Sequence, residues 1–121
     1  MRVKLALLSV VTAGVALLGA SLASSMTMPK LMGVVGPGFT ITLKTAKGAA
    51  VKTLKPGMYT IVVSDKSPIH NFRLKGPGLN KEITSVPFTG TKTVTVTLKK
   101  GTYTFDCDPH ITSMKGTFTV K

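Results

Sequence analysis

Residues 101–120 read GTYTFDCDPHITSMKGTFTV, and this stretch decides the fold. Tyr103, Phe105 and Cys107 alternate with threonine and aspartate, and Phe118 and Val120 alternate with threonine after Gly116. Alternation with period two marks strands buried on one face, and β-branched threonine suits a pleated surface. Between the two strands, residues 107–114 turn through a loop.

The same period recurs along the chain. Phe39, Ile41 and Leu43 share one face, as do Tyr59, Ile61 and Val63, then His70, Phe72 and Leu74, and then Val94, Val96 and Leu98. Turn signals separate the runs: Gly-Pro-Gly at 36–38 and 76–78, Lys-Pro-Gly at 55–57 and Lys-Lys-Gly at 99–101. Beyond the N-terminal segment no amphipathic helix longer than a turn or two is legible. The pattern predicts an all-β fold, an antiparallel Greek-key β-sandwich of seven or eight strands over residues 39–121. Residues 54–60 (LKPGMYT) echo residues 98–104 (LKKGTYT). A Tyr just past such a turn either reaches back to the backbone as a tyrosine corner or marks an ordinary hairpin; both readings give the same fold class.

Composition narrows the chemistry. The 121 residues suffice for one domain, and 43% apolar residues argue against general disorder. One Cys excludes an internal disulfide, a Cys-rich zinc module and a multi-Cys iron–sulfur site. Four acidic residues against 16 Lys+Arg are too few to suggest a two-carboxylate glycosidase site or a calcium loop. The cations beyond the N-terminus are all Lys except Arg73 and are not clustered, which argues for a solvated lysine coat rather than a nucleic-acid reader. Such a field favours acidic partners or the surface of anionic membranes.

The N-terminus reads as an export signal. Arg2 and Lys4 precede an uncharged apolar run, and Ser21-Leu22-Ala23 supplies the small residues before a cleavage point, giving a signal peptide over residues 1–23. The alternative is an uncleaved anchor through residues 5–22, about 27 Å long as a helix. Both place the rest of the chain outside the cytosol, periplasmic or extracellular. Residues 24–38, with Met26, Met28 and Met32, read as a flexible lead-in.

The scarce ligand types converge. Cys107, His110 and Met114 sit within eight residues on one loop, and His70 points inward if Phe72 and Leu74 are core. Each alone has an ordinary reading: a small buried hydrophobe, a loop histidine, a core filler. Together they use every Cys and His in the chain, and metal ligation explains a free thiol in an exported protein. One thiolate, two imidazoles and a weak Met are the donor set of a blue-copper electron-transfer site.

The stretch from Phe39 to Lys121 resembles the cupredoxins, specifically the small plastocyanin- and amicyanin-like domains, through His70-Asn71-Phe72 and Tyr103-x-Phe105-x-Cys107-x-Pro109-His110-x3-Met114-x-Gly116. The resemblance implies one copper ion cycling between Cu(II) and Cu(I), with His70, Cys107 and His110 as equatorial ligands and Met114 as the axial one. It implies that Asn71 ties the two ligand loops together and that Pro109 stiffens the second. Two features depart from the pattern: the three-residue spacer between His110 and Met114 lies between amicyanin and plastocyanin lengths, and Asp108 replaces a small residue. The expected function is a monomeric, non-enzymatic electron carrier serving acidic redox partners. Copper homeostasis or delivery is the alternative, supported by the three early methionines. Pro68, Ile69, Pro109 and Ile111 are expected to form an apolar rim around His110.

Overall fold

The computed structural model describes residues 27–121; the expected signal segment 1–23 and Met26 lie outside the described residues. Nine strands run in the order β1 (Lys30–Val35), β2 (Ile41–Thr45), β3 (Thr53–Leu54), β4 (Gly57–Asp65), β5 (Phe72–Gly76), β6 (Leu79–Thr84), β7 (Gly90–Leu98), β8 (Gly101–Asp106) and β9 (Lys115–Val120). A single 3₁₀ turn, Asp108–His110, separates β8 from β9. They form two sheets, β2-β1-β4-β7 and β3-β9-β8-β5-β6. This is the expected β-sandwich, with one refinement: β1 pairs with β4, and β3 with β9, in parallel, while the other pairings are antiparallel.

The alternation reads out as burial. Tyr59, Ile61 and Val63 of β4, Phe72 and Leu74 of β5, Val96 and Leu98 of β7, Tyr103 and Phe105 of β8, and Phe118 and Val120 of β9 all enter one core. Within it Phe72 stacks on Phe105 with ring centroids 5.8 Å apart, and Tyr103 on Phe118 at 5.3 Å. Both echo segments make tyrosine corners. Tyr59 Oη donates to Lys55 O at 2.7 Å, and Tyr103 Oη accepts from Lys99 N at 2.8 Å. Each ties a buried ring to a backbone group four residues upstream, a bond worth about 1 kcal/mol.

Two expectations need correction. The segment 24–38 is not a flexible lead-in throughout: residues 30–35 form β1, an inner strand of the first sheet, flanked by β2 and β4. Its inward residues are Leu31, Gly33 and Val35, and the Phe72 ring occupies the space above Gly33, where an added Cβ would lie 3.0 Å from the ring edge. The missing side chain is filled by a neighbour, so the alternation is real but weak in the sequence. Phe39 does not share the core face of Ile41 and Leu43. The strand starts at Ile41, after a turn in which Gly36, at φ +73°, donates to Thr40 O, and Phe39 is 61% exposed beyond it.

The lysine coat is as expected: twelve of the thirteen described lysines are exposed, Lys75 being half-buried. No helix among the described residues is long and apolar enough to cross a membrane.

Candidate metal centre

Three connections meet at one end of the sandwich. The β4–β5 connection (66–71) carries His70, the β8–β9 connection (107–114) carries Cys107, His110 and Met114, and the β1–β2 connection (36–40) carries Gly38 and Phe39. The first is held by its own turn: Ser67 N donates to Asp65 Oδ1 at 3.1 Å, Ile69 N to Ser67 Oγ at 3.4 Å and His70 N to Ser67 O at 3.4 Å. The second closes on itself. Cys107 N donates to Met114 O at 3.0 Å, His110 N to Cys107 O at 3.1 Å and Met114 N to His110 O at 2.8 Å. Pro109 lies in the first turn of the 3₁₀ segment, where its missing N–H costs nothing.

The donor atoms form a tight triangle. His70 Nδ1 lies 3.2 Å from His110 Nδ1, and Cys107 Sγ lies 3.7 Å from the first and 3.6 Å from the second. A point equidistant from all three would lie about 2.0 Å from each, close to the roughly 2.0–2.3 Å at which imidazole nitrogen and thiolate sulfur bind a first-row metal ion. His70 Nε2 donates to Gly38 O at 2.9 Å. That bond assigns the ring proton to Nε2 and leaves the Nδ1 lone pair facing the other donors. His70, Cys107 and Met114 are fully buried, while His110 is half-buried. A mostly buried cluster of soft and borderline donors, with a thiolate-forming group among imidazoles, fits copper chemistry.

A polar network backs the triangle. Asn71, buried beside His70, accepts from Asp108 N at 2.7 Å and donates through Nδ2 to Asp108 Oδ2 at 2.8 Å and to Glu82 Oε2 at 2.9 Å. Arg73 Nε donates to both oxygens of Asp108, at 3.1 and 2.9 Å. Burial acts to raise the Asp108 carboxyl, but the hydrogen bonds it accepts from Asn71 and Arg73, with the Arg73 charge, outweigh it and hold its pKa below the ordinary value. Asp106 is pushed the other way, first by burial and then by Asp108, with Lys75 opposing at 3.1 Å. The Arg73 guanidinium is held above its usual pKa chiefly by its hydrogen bond to Asp108.

The structure therefore brings His70, Cys107 and His110 together and buries Met114 at the closure of the same loop. It also supplies neighbours that sequence reasoning missed. Phe39 packs edge-on against both imidazoles, with ring centroids 5.3 Å from His70 and 4.9 Å from His110. No local sequence signal marks that contact, which spans the β1–β2 connection. Arg73 and Glu82 were also missed, although Arg73 had a signal as the one arginine among thirteen lysines after residue 23. Of the expected rim, Pro68, Ile69, Pro109 and Ile111 are all exposed, and Phe39 is exposed alongside the ligands.

Comparison with known proteins agrees with this geometry. Residues 40–121 match the family described as copper binding proteins, plastocyanin/azurin family. Similar solved structures include a chain of a haem-copper terminal oxidase dimer, at 19% identity and TM-score 0.51, covering 76% of this chain and 63% of that one. Reduced rusticyanin is similar at 22% identity and TM-score 0.52, covering 76% of this chain and 78% of that one. A further rusticyanin structure has 20% identity and TM-score 0.51, covering 76% of each chain. The chain thus spans less than two thirds of the oxidase chain it matches. At these identities the likenesses speak for the fold. Among curated proteins, none matches the sequence. With the family match extending over about two thirds of its length and the donor triangle in place, this chain belongs to the plastocyanin/azurin family of copper-binding proteins, the cupredoxins.

Proposed function

We propose that this chain is an exported type 1 copper protein that carries single electrons between redox partners, with His70, Cys107 and His110 as equatorial ligands and Met114 as the axial one. The observation that carries the reading is the triangle of Cys107 Sγ, His70 Nδ1 and His110 Nδ1, compact and buried at the end of a stiff sandwich. A copper ion held there supplies one reversible electron. The chain's part is to keep the donors still. The Gly38 carbonyl orients His70, the Asn71 amide joins the two ligand segments, and the loop's own hydrogen bonds hold Cys107 and Met114 together. Ligands that do not move when the charge changes lower the reorganisation cost of electron transfer.

His110 is the half-buried donor, so electrons pass most directly through its ring. Phe39, Ile69 and Ile111, at 61, 50 and 45% exposure, supply an apolar contact surface beside it. A contact of that kind suits a brief encounter burying less than about 1,200 Å². The lysine coat favours acidic partners. The four-donor arrangement leaves no position for a substrate, which supports a carrier rather than an enzyme. The apolar run of residues 5–22 supports export, cleaved or anchored, and a monomer suffices for the activity.

Copper delivery is the second reading. Met28, Met32 and Met58, at 43, 37 and 52% exposure, offer soft sulfur to solvent. Because Met32 lies in β1, the methionines are best tested by substitution rather than by truncation. The deciding experiment cycles the copper-loaded protein through reduction and reoxidation beside a strong Cu(I) chelator. Full recovery of the blue band supports a carrier. Loss of copper on reduction, slowed by Met28→Leu, Met32→Leu or Met58→Leu, would replace the carrier reading with delivery.

A further inference from the structure

We propose that Arg73 is a positioning residue of the metal centre, clamping the Cys107 end of the ligand loop to the His70 segment through Asp108. The inference rests on the copper reading of the site and adds a residue that acts from outside it.

The clamp grows out of strand register. Glu82 of β6 stands opposite Arg73 of β5, Arg73 opposite Asp106 of β8, and Asp106 opposite Lys115 of β9. Charges alternate in sign across four strands, as favourable cross-strand pairs do. The third member of this row, Asp106, lies one residue before Cys107, and the carboxylate of Asp108, one residue beyond, reaches back to Arg73. Three of the chain's four acidic residues, Glu82, Asp106 and Asp108, are gathered here on a chain of net charge +12.

The Asn71 amide alone does not balance this cluster. Its Nδ2 donates to Asp108 and to Glu82, bringing two carboxylates to one neutral donor. Arg73 relieves the repulsion between them. Nε holds both Asp108 oxygens, Nη2 reaches Glu82 Oε2 at 3.4 Å, and Nη1 reaches Asn80 Oδ1 at 3.1 Å. Three nitrogens of one planar group thus engage three side chains, a task a lysine ammonium cannot reproduce. Among the described residues every other basic side chain is a lysine, and Arg73, where a planar fork engages three partners, is the one arginine. Asp108, once held, presents its N–H to Asn71 Oδ1. The ligand at 107 and the ligand at 70 are each one residue from that bond.

The test uses the copper-loaded protein and Arg73→Lys, which keeps the charge and loses the fork, beside Arg73→Gln, which loses both. Both variants should bind one copper per chain. Each should release it to a chelator about tenfold faster, in line with other residues that orient metal ligands, and shift the Cu(II) hyperfine splitting. If Arg73→Lys matches the parent in release rate and hyperfine splitting, Arg73 acts only as a charge and the proposal falls. It also falls if melting temperature drops while both copper readouts stay unchanged, because the role is then merely structural. A copper-free readout separates this proposal from the copper reading: exchange of the Asp108 amide hydrogen, measured by NMR, should quicken about tenfold in Arg73→Lys. Unchanged exchange overturns the clamp even if the site binds copper. Faster exchange supports it even if the parent shows no blue band.

Discussion

Replacing Gly116 by alanine puts one methyl group where the Phe105 ring lies. A Cβ at residue 116 would meet Phe105 Cζ, Cε2 and Cε1, the last at 2.9 Å and the other two closer still. The two residues face each other across β8 and β9, and the ring cannot simply swing away, because its other face stacks on Phe72 with planes 5° apart. Overpacking of this kind costs roughly 1–3 kcal/mol. Stiffening of the unfolded chain by Gly→Ala returns about 0.4–1 kcal/mol. A net loss of about 1–2 kcal/mol remains. With an unfolding entropy of about 2.1 cal/mol/K per residue over the described residues, each kcal/mol moves the midpoint by about 5 °C, so Tm should fall by about 5–10 °C. The assay is thermal unfolding of the copper-free protein, followed by far-UV circular dichroism. Gly38→Ala is the matched control. Nothing lies within 4 Å of its added Cβ and its φ is not in the left-handed region, so its Tm should hold or rise slightly. A Gly116→Ala midpoint within 1–2 °C of the parent would refute the packing described for the core beneath the ligand loop.

Three further outcomes follow from the same contacts. Tyr59→Phe removes the bond to Lys55 O and should cost about 1 kcal/mol in urea unfolding; Tyr103→Phe should cost more, about 1–2 kcal/mol, since it leaves both Lys99 N and Pro77 O without the hydroxyl they bond. Equal, negligible losses would remove the tyrosine corners from the energetics. Met114→Gln should retain one copper per chain and lower the reduction potential, because a harder oxygen donor favours Cu(II); voltammetry showing an unchanged potential would mean that Met114 is not axial. Electron transfer to an acidic protein partner should slow several-fold between low and physiological ionic strength, as the lysine field is screened, and a flat salt profile in stopped-flow kinetics would argue against acidic partners.

The strands most legible in the sequence are those with apolar residues at every second position and a turn signal at one end. β4, β7, β8 and β9 show this plainly, and with them the loop holding Cys107, His110 and Met114. β1 was hidden because Gly33 leaves a gap in the pattern that the Phe72 ring fills from another strand. β6 was hidden because Asn80, Lys81 and Glu82 are all exposed, leaving only Ile83 and Thr84 as fully buried residues. Extending the alternation of Phe72 and Leu74 backward predicts an inward-facing His70 in line with the strand. The structure instead puts it in the loop before β5, buried through a turn anchored by Asp65. Phe39 escaped because its side chain answers to the imidazoles rather than to its own strand, and the Arg73 clamp escaped because cross-strand register cannot be read from one strand alone.

The most direct measurement is a titration of the copper-free protein with Cu(II), followed by visible absorption and EPR. The donor triangle predicts an intense blue thiolate-to-copper band with narrow hyperfine splitting, saturating at one copper per chain, and its loss in Cys107→Ser while the fold survives. A pale spectrum with wide splitting, or a Cys107→Ser variant that stays blue, would contradict the assignment of Cys107, His70 and His110 to a single type 1 site.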